Sequence, residues 1–324
     1  MDKHKRTYAI VGTGAVGGFF GAKLNRAGFD VHFLLHNDYS HVRIHGLTID
    51  SKAGDFVVPH VKAYRSARDM PACDVAIVAL KTTNNSVLPD VLPPILKHDG
   101  VVLVLQNGLG NEEEISKIVG GNKVMAGLCY ICSNKVGPGH IRHWDLGNIT
   151  LAEYIGDGLA AGTTPRMMAL AEDFQRAEIG IKLANDLLLA RWKKLVWNVP
   201  YNGLSVILNA MTDQLMKNPS TRSLVADIMS EVVTGAASCG HPIAESFVQE
   251  MLDYTDSMVP YKTSMKIDFD ERRRMEVESI FGNPLRAIRK AGGSSPLIEM
   301  LYHELKFLDD ESQSLRTPRS LLRG

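Results

Sequence analysis

The sequence of 324 residues has no excess charge of either sign, because 36 basic residues balance 36 acidic ones. This balance argues against a protein that binds nucleic acid or an anionic membrane through a general electrostatic field. The longest apolar runs, such as VAIVAL, are far too short to span a bilayer. The segment MDKHKRTYAIVG lacks the apolar region and cleavage site of a signal peptide. We therefore expect a cytoplasmic protein with no nucleic-acid or membrane partner.

Cysteine is also scarce, and four cysteines in this length do not indicate a disulfide scaffold. Cys129 and Cys132 form a C-x-x-C pair, for which a redox pair and half of a zinc site are alternatives. The flanking residues predict a strand, in which positions i and i+3 face opposite sides, and no second pair of ligands stands nearby. We expect two reduced thiols and no metal. The sequence does not decide whether the pair has a redox role.

Hydrophobic residues make up 45% of the chain, which is globular composition with enough material for two domains. In the first half, short apolar runs alternate with helical segments. TYAIVG, DVHFLL, CDVAIVALK and VVLVLQNG are expected strands, and the last two resemble central parallel strands covered on both faces. LTIDSKAGDFVVP predicts a hairpin, and HIRHW, NITLAEY and IGIKLAN add strands. We predict an α/β, Rossmann-type dinucleotide-binding domain over residues 1–185.

The second half has helical periodicity from Asp186 to about Glu311, without a strand signal. Pro242 is expected in the first turn of one helix, and DERRRMEVESIFGNPLRAIRKAG is expected to form another. We predict an all-α domain over residues 186–312, followed by a polar tail over 313–324.

Gly12, Gly14 and Gly17 have the G-x-G-x-x-G spacing between the first strand and the first helix. Gly12 permits the tight turn, Gly14 lets the backbone approach a pyrophosphate, and Gly17 allows close packing of helix on strand. The start of the helix then offers free N–H groups to phosphates. The strand–turn–helix context favours a dinucleotide site over a chance glycine turn.

The end of the second strand, LLHNDYSHVR, should indicate the cofactor. An acid there would hold the ribose of NAD, and an arginine would suit the 2′-phosphate of NADP. His36 offers at most a partial charge at neutral pH. Asp38 is a candidate ribose acid that lies two residues late. Arg43 is a remote phosphate candidate that is more simply explained as a solvated helix charge, so these residues leave the choice of cofactor open.

Lys194, Asn198 and Asn202 recur at intervals of four in ARWKKLVWNVPYNGL and so lie along one helical face. A carbonyl that is reduced to an alcohol needs a proton donor, which Lys194 could provide. Asparagine side chains donate and accept hydrogen bonds, which suits a hydroxy or carboxylate substrate. The alternative is a lysine that extends into solvent. Without partners, such polar groups on an apolar helix would each cost ~1–3 kcal/mol.

Ser264, Asp268 and Glu276 form a second group in YKTSMKIDFDERRRMEVESIFGNPL. Asp268 and Glu276 are eight residues apart and are expected to share a rough helical face. The arginines between them are expected to be mostly solvated. A carboxylate near an ammonium group favours the charged form of both, whereas burial opposes it. To act as a proton donor, Lys194 needs a balance between these two effects, the nearby carboxylate that favours its charged form and the burial that disfavours it.

Several segments together resemble the ketopantoate reductases, the 2-dehydropantoate 2-reductase family. The resemblance runs from Tyr8 to about Asp309. Its segments are GTGAVGG, the pair Leu80-Lys81, the QNG from Gln106 to Gly108, WKKLVWNVPYNGL, and TSMKIDFDERRRMEVESIFG. It implies a Rossmann domain joined to a helical domain. It also implies NADPH-dependent reduction of ketopantoate to pantoate, a step toward pantothenate and coenzyme A.

The resemblance also implies catalytic and substrate-binding residues. Lys194 matches the general acid of the family, and Glu276 matches an acid that contacts the substrate hydroxyl or the lysine. Asn198 and Asn202 match substrate-contacting amides. Ser264 matches a serine that holds the substrate carboxylate.

On the cofactor side, Lys81 and Asn107 match positions that line the nicotinamide site, where Asn107 also faces the substrate. Asp268 matches a family acid that we expect to be structural. His36 stands where members usually carry an arginine that contacts the NADP 2′-phosphate, so NADPH is the expected cofactor and NADH is an alternative.

Two other functions remain open at the level of sequence. One is a related nicotinamide-dependent reductase of another 2-oxo acid, and the other is a non-catalytic dinucleotide-binding regulator. The presence of Lys194 and Glu276 argues against the regulator. The expected partner is a small 2-oxo acid. The sequence does not determine the oligomeric state, for which a homodimer is one possibility.

Overall fold

A computed structural model of the chain describes residues 6–156 and 159–314. The chain divides into two compact units. Unit 1 contains the residues up to Asn107 and Asn111–Leu187. Unit 2 contains Gly108–Gly110 and the residues from Leu188 onward.

Unit 1 is built on a single sheet that has ten strands within the described residues. The strands are β1 (Thr7–Val11), β2 (Asp30–Leu34), β3 (Leu47–Ser51), β4 (Phe56–Val58), β5 (Lys62–Tyr64), β6 (Cys73–Val78), β7 (Leu96–Val104), β8 (Val124–Gly137), β9 (His140–Glu153) and β10 (Gly180–Ala184). Their order is β4-β3-β9-β8-β7-β6-β1-β2-β5, and β10 pairs with β9. The run from β5 to β8 through β2, β1, β6 and β7 is parallel, as expected of a dinucleotide-binding sheet.

The α-helices of unit 1 connect these strands. They are α1 (Ala15–Arg26), α2 (Tyr39–His45), α3 (Leu88–Ile95), α4 (Asn111–Val119) and α5 (Pro165–Arg176). A short 3-10 helix, Thr82–Val87, follows β6.

The central strand β1 is covered on both faces. Tyr8 and Ile10 are fully buried in one hydrophobic cluster, whereas Ala9 and Val11 are fully buried in a second one. Successive side chains of a strand point to opposite faces, so these two clusters lie on the two sides of the sheet. The predicted α/β character of this half is confirmed.

One of the predicted β-segments is present as expected, and two others are merged into a single strand. The predicted hairpin is present as antiparallel β3 and β4, with Gly54 at φ 113° in the connection. HIRHW and NITLAEY were expected as separate strands, but both belong to the 14-residue strand β9. Its antiparallel partner β8 follows it through register shifts, and Leu146 and Gly147 within β9 have positive φ. Such irregularities let one strand bend without ending.

Unit 2 is helical, with no strand among its described residues. The elements are α6 (Leu187–Ile207), α7 (Thr212–Lys217), α8 (Pro219–Ser238), α9 (Ser246–Asp256), α10 (Ser264–Asp270), a π-helical turn (Glu278–Gly282), α11 (Asn283–Lys290) and α12 (Pro296–Ser314). Their apolar faces share one core that includes Trp192, Tyr201 and Phe281. Gln313 and Ser314 belong to α12, and the rest of the predicted polar tail lies outside the described residues.

The expectation that Pro242 occupies a first helical turn was wrong. The helix α9 begins at Ser246. His241 donates its N–H to the carbonyl of Ala236 at 2.9 Å and so still closes the end of α8. Residues 239–245 connect α8 to α9 and are not helical, so Pro242 lies in this connection.

The expectation of a helix through DERRR was also wrong. The helix α10 ends at Asp270, and Arg272 has φ 55°. The N–H of Arg273 bonds the carbonyl of Asp268 at 2.7 Å, which closes the end of the helix. A loop then leads to Glu276, so Asp268 and Glu276 do not share a helical face.

Gly108–Gly110 forms a short strap within unit 2. The N–H of Leu109 donates to the carbonyl of Ser279 at 2.8 Å, and the amide of Asn283 donates to the carbonyl of Leu109 at 2.6 Å. Gly108 has φ 93°, and a Cβ there would lie 2.3 Å from the Ser279 carbonyl oxygen. Only glycine therefore fits at this point of the strap.

Candidate functional site

The glycine loop after β1 is shaped by two different constraints. A Cβ on Gly12 would lie 2.3 Å from the backbone nitrogen of Leu80, and one on Gly17 would lie 2.2 Å from the Gly12 carbonyl oxygen. Packing therefore requires both glycines. A Cβ on Gly14 would meet nothing within 4 Å, so space next to this backbone is open.

The start of α1 suits an anionic ligand. Gly14 precedes the helix and provides no side-chain cap, and the first turn carries no acidic residue. The first N–H groups of a helix have no intrahelical acceptor and lie at the positive end of the helix dipole. Together with the open space beside Gly14, this arrangement fits the pyrophosphate of a dinucleotide.

Lys81 and Asn107 follow strands that end at the same edge of the sheet as β1. In the parallel register, Val11 of β1 aligns with Val78 of β6, and Val78 aligns with Val104 of β7. Lys81 and Asn107 are both half-buried, three residues beyond their strands. This edge is where open α/β sheets bind their ligands.

An amide network that the sequence analysis missed holds the loop after β7. The side chain of Gln106 donates to Asn85 Oδ1 at 2.6 Å, and Asn85 donates to Glu114 Oε2 at 2.7 Å. Asn111 donates to the carbonyl of Asn107 at 2.8 Å. Asn85 lies in the short 3-10 helix Thr82–Val87, whose single short stretch gives no hydrophobic period that could have revealed its role.

The residues after β2 separate into exposed and buried ones. His36 is exposed, and its Nδ1 lies 2.6 Å from Asn37 Oδ1. Asp38 is buried, accepts from the N–H of Gly139 at 2.9 Å, and pairs with Lys135 at 2.5 Å. The Asp38 carboxylate therefore anchors the turn between β8 and β9, which argues against its use as a ribose acid.

In unit 2, the predicted polar stripe lies on one continuous helix, α6. Lys194 is half-buried, whereas the side chains of Asn198 and Asn202 are buried. Neighbouring Lys193 is exposed, with its ammonium 5.5 Å from the ring centre of Phe247. Asn202 Oδ1 is buried with no hydrogen-bond partner among the described residues. A buried acceptor of this kind is costly unless something binds it.

Ser264 is the first residue of α10 and is half-buried. Thr263 caps this helix by accepting from the N–H of Lys266, and its hydroxyl lies 2.7 Å from that of Ser205. Ser205 in turn donates to the carbonyl of Asn202 at 3.2 Å. This chain of bonds connects the polar stripe of α6 to the segment that carries Ser264.

Ser205 and Thr263 were missed by the sequence analysis, although a signal was present. Ser205 lies eleven residues after Lys194, which is three helical turns and returns to the same face. Thr263 stands directly before a helix in a position that favours threonine.

Glu276 is buried between Met275 and Val277, which are buried as well. The N–H of Met275 donates to Asp309 Oδ1 at 2.8 Å, which fixes the backbone next to Glu276. Burial raises the pKa of Asp309 above its ordinary value, against the opposing effect of this backbone bond.

Asp268 is buried and accepts from Nε of Arg273 at 2.9 Å. Arg273 also pairs with Glu271. Arg272, Arg273 and Arg274 are exposed, as expected for the arginines of DERRR, and the guanidinium of Arg273 also binds two carboxylates at the end of α10.

The C-x-x-C pair consists of two buried free thiols, Cys129 and Cys132. Burial raises the pKa of the Cys132 thiol to about 11, which disfavours the reactive thiolate. The described residues contain no group of three or more His, Cys, Asp or Glu side chains placed to hold a metal ion. None of the described helices combines the length and apolar character needed to cross a bilayer.

Two family models match the two parts of this chain. Residues 8–156 match the family model described as ketopantoate reductase PanE/ApbA, and residues 186–309 match the model of its C-terminal part. A 2-dehydropantoate 2-reductase from Nostoc sp. is 57% identical over 311 residues, covering 96% of this chain and 98% of that protein.

Two crystal structures extend the likeness to the fold. The 2-dehydropantoate 2-reductase from Geobacter metallireducens has a TM-score of 0.89 at 39% identity, covering 94% of this chain and 99% of that one. The enzyme of the same name from Methylococcus capsulatus has a TM-score of 0.85 at 32% identity, covering 97% and 99%. The predicted fold class, a Rossmann-type domain and an all-α C-terminal domain, is confirmed.

Proposed function

This chain belongs to the ketopantoate reductase family PanE/ApbA, and we propose that it reduces the 2-oxo group of 2-dehydropantoate to the alcohol of pantoate. The observation that carries this assignment is the polar face of α6. A half-buried amine, Lys194, stands there in line with the buried amides of Asn198 and Asn202. An amine and two amides on an otherwise apolar helix suit a small oxygen-rich substrate.

When bound, a reduced nicotinamide supplies the hydride for the 2-oxo carbon. The residues of this chain do the remaining work. Lys194 donates a proton to the ketone oxygen as negative charge develops on it. Asn198 and Asn202 hydrogen-bond the reacting oxygens, and Asn202 Oδ1 has no other acceptor role among the described residues. The hydroxyl of Ser264 holds the substrate carboxylate.

Glu276 is proposed to contact the substrate hydroxyl or the Lys194 ammonium. Its burial makes the carboxylate sensitive to a nearby positive charge, because a charge in a low-dielectric environment interacts strongly with its partner. Fixed positions of donor and acceptor groups reduce the entropy lost on reaching the transition state.

For the cofactor, we propose NADPH, with NADH as the alternative because His36 replaces the usual arginine. Gly12, Gly14 and Gly17 would hold the pyrophosphate at the start of α1. Lys81 and Asn107 would lie beside the nicotinamide, with Asn107 also next to the substrate. A homodimer stays a prediction, which light scattering on the purified chain would test.

The decisive experiment is a spectrophotometric assay of the purified chain with ketopantoate and each reduced nicotinamide. Oxidation of the cofactor that depends on ketopantoate is the expected result. A panel of other 2-oxo acids serves as the comparison, because a missing polar contact lowers kcat/KM by orders of magnitude. Faster turnover of another 2-oxo acid would replace the proposed substrate, and NADPH binding without turnover of any of them would indicate a regulator.

A further inference from the structure

The strand β5 brings a third strand end to the edge where the glycine loop lies. Val11 of β1 aligns with Leu34 of β2, and Leu34 aligns with Tyr64 of β5. The N–H of Leu35 still bonds the carbonyl of Tyr64 at 2.9 Å. Neighbouring strands lie ~4.8 Å apart. Arg65, the residue after Tyr64, therefore starts about 10 Å from the glycine loop along this edge.

This location flanks the expected adenosine ribose. In a dinucleotide-binding sheet the pyrophosphate lies at the loop after the first strand, and the ribose lies over the end of the second. The end of β2, with His36, is on one side of the ribose position. Arg65 directly follows β5, the next strand outward, and so lies on the other side of this position.

Two residues of α2 hold the Arg65 side chain. Its guanidinium donates to Ser40 Oγ at 3.0 Å and lies 4.7 Å from the ring centre of Tyr39. These three residues line a surface pocket together with Arg43 and Ile44. Stacking on an aromatic ring orders the guanidinium before a ligand arrives, which lowers the entropy cost of binding.

The pocket also carries positive charge that the protein does not neutralise. Within the described residues, neither Arg65 nor Arg43 forms an ion pair with a carboxylate. Lys62, at the opposite end of β5, is by contrast paired with Asp30 at 2.7 Å. The neighbouring acid Asp38 is occupied by Lys135. Two guanidinium groups are therefore available to an anion at this pocket.

We propose that Arg65, positioned by Ser40 and Tyr39 and assisted by Arg43, recognises the 2′-phosphate of NADPH. The inference rests on the proposed dinucleotide-dependent function. A phosphate monoester carries a charge of about −1.5 to −2 at neutral pH, and an arginine fork binds it through two parallel hydrogen bonds. Arg65 would thus supply from β5 the permanent charge that His36 lacks at the end of β2.

The competing explanation is that Arg65 only packs β5 against α2. In that case its removal would lower stability without changing the preference between the two cofactors. Equilibrium binding separates the explanations, because NADPH and NADH differ only in the 2′-phosphate.

The test uses isothermal titration of the whole chain with NADPH, NADH, adenosine 2′,5′-bisphosphate and adenosine 5′-monophosphate. Arg65→Ala should weaken the two 2′-phosphorylated ligands by about tenfold or more, which is 1.4 kcal/mol, and leave the other two unchanged. Arg65→Lys should retain part of the preference for NADPH over NADH, because lysine keeps the positive charge but lacks the two parallel donors of the guanidinium. Arg68→Ala is the matched control, because Arg68 is also exposed and lies three residues away.

Equal weakening of NADPH and NADH by Arg65→Ala, or no weakening of either, would overturn the inference. A wild type that binds NADH as tightly as NADPH would overturn it as well. These outcomes are independent of ketopantoate turnover. A chain that prefers NADPH through Arg65 yet reduces no 2-oxo acid would support this inference while refuting the proposed reaction.

Discussion

The hydroxyl groups of Ser205 and Thr263 lie 2.7 Å apart and are fully buried. Ser205 donates its hydrogen to the carbonyl of Asn202, so the Thr263 hydroxyl donates to Ser205. Thr263 is then free to accept from the N–H of Lys266 at 3.2 Å. One chain of hydrogen bonds thus links the backbone of the α6 stripe to the first turn of α10.

Ser205→Ala should raise KM for the 2-oxo acid more than it lowers kcat. The variant leaves the Thr263 hydroxyl without its acceptor and so loosens the position of Ser264, at a cost of ~1–3 kcal/mol in the free energy of unfolding. Steady-state kinetics and urea unfolding measure both effects. NADPH affinity should not change.

Substitutions at Thr263 provide the matched pair for this prediction. Thr263→Ser keeps the hydroxyl and should retain a near-normal KM. Thr263→Val keeps the shape but loses the cap, which costs about 0.5–2 kcal/mol. A normal KM for Thr263→Val would show that the hydroxyl does not position the substrate site.

Lys194→Ala should lower kcat by about 10²- to 10⁴-fold, the usual contribution of a general acid. NADPH affinity, measured by titration, should stay nearly intact because the substitution removes only the proton donor. Lys193→Ala is the control, since Lys193 is exposed one residue away. Equal losses of turnover and cofactor binding for Lys194→Ala would mean that the lysine acts in binding.

Gly14→Ala and Gly17→Ala should separate ligand binding from stability. A Cβ at position 14 meets no protein atom within 4 Å, so this variant should fold normally and bind NADPH about tenfold or more weakly. A Cβ at position 17 would lie 2.2 Å from the Gly12 carbonyl oxygen, so this variant should unfold at a lower temperature. Calorimetry and cofactor titration give the two readouts. Unchanged NADPH affinity in Gly14→Ala would place the pyrophosphate elsewhere.

Asp309 should make the chain less stable as the pH rises. Burial raises the pKa of the Asp309 carboxyl in the folded chain. The contribution of this group to the free energy of unfolding is therefore complete below its pKa in the unfolded chain, about 3.9, and is lost as the pH rises through its pKa in the folded chain. Asp309→Asn keeps an acceptor for Met275 and removes the titration. The stability of this variant relative to wild type, measured by urea unfolding, should increase from about pH 4 upward.

A second variant tests the link between Asp309 and the catalytic segment. Asp309→Ala removes the acceptor for the Met275 N–H and should lower both stability and kcat, since the backbone beside Glu276 loses its anchor.

For the pH prediction, a stability difference between Asp309→Asn and wild type that does not vary with pH would contradict the raised pKa of Asp309.

The candidate site was predictable wherever its residues follow a local period. Lys194, Asn198 and Asn202 share a helix, so their four-residue interval is enough to place them on one face. Asp268 and Glu276 were misjudged by the same reasoning. The bond from the Arg273 N–H to the Asp268 carbonyl ends α10 between them, and charged residues at a helix end give no clear local signal.

The sequence alone determined the division into an α/β half and a helical half, because hydrophobic period and glycine spacing are properties of neighbouring residues. It also identified the glycine loop. Only the tertiary structure placed Arg65 at the edge shared with Gly12, because two successive strand pairings, Val11 with Leu34 and Leu34 with Tyr64, connect these distant positions. The same holds for Ser205 and Thr263, whose hydroxyl groups meet because two helices pack together. Pairing and packing between distant segments depend on the whole core, so no local pattern records them.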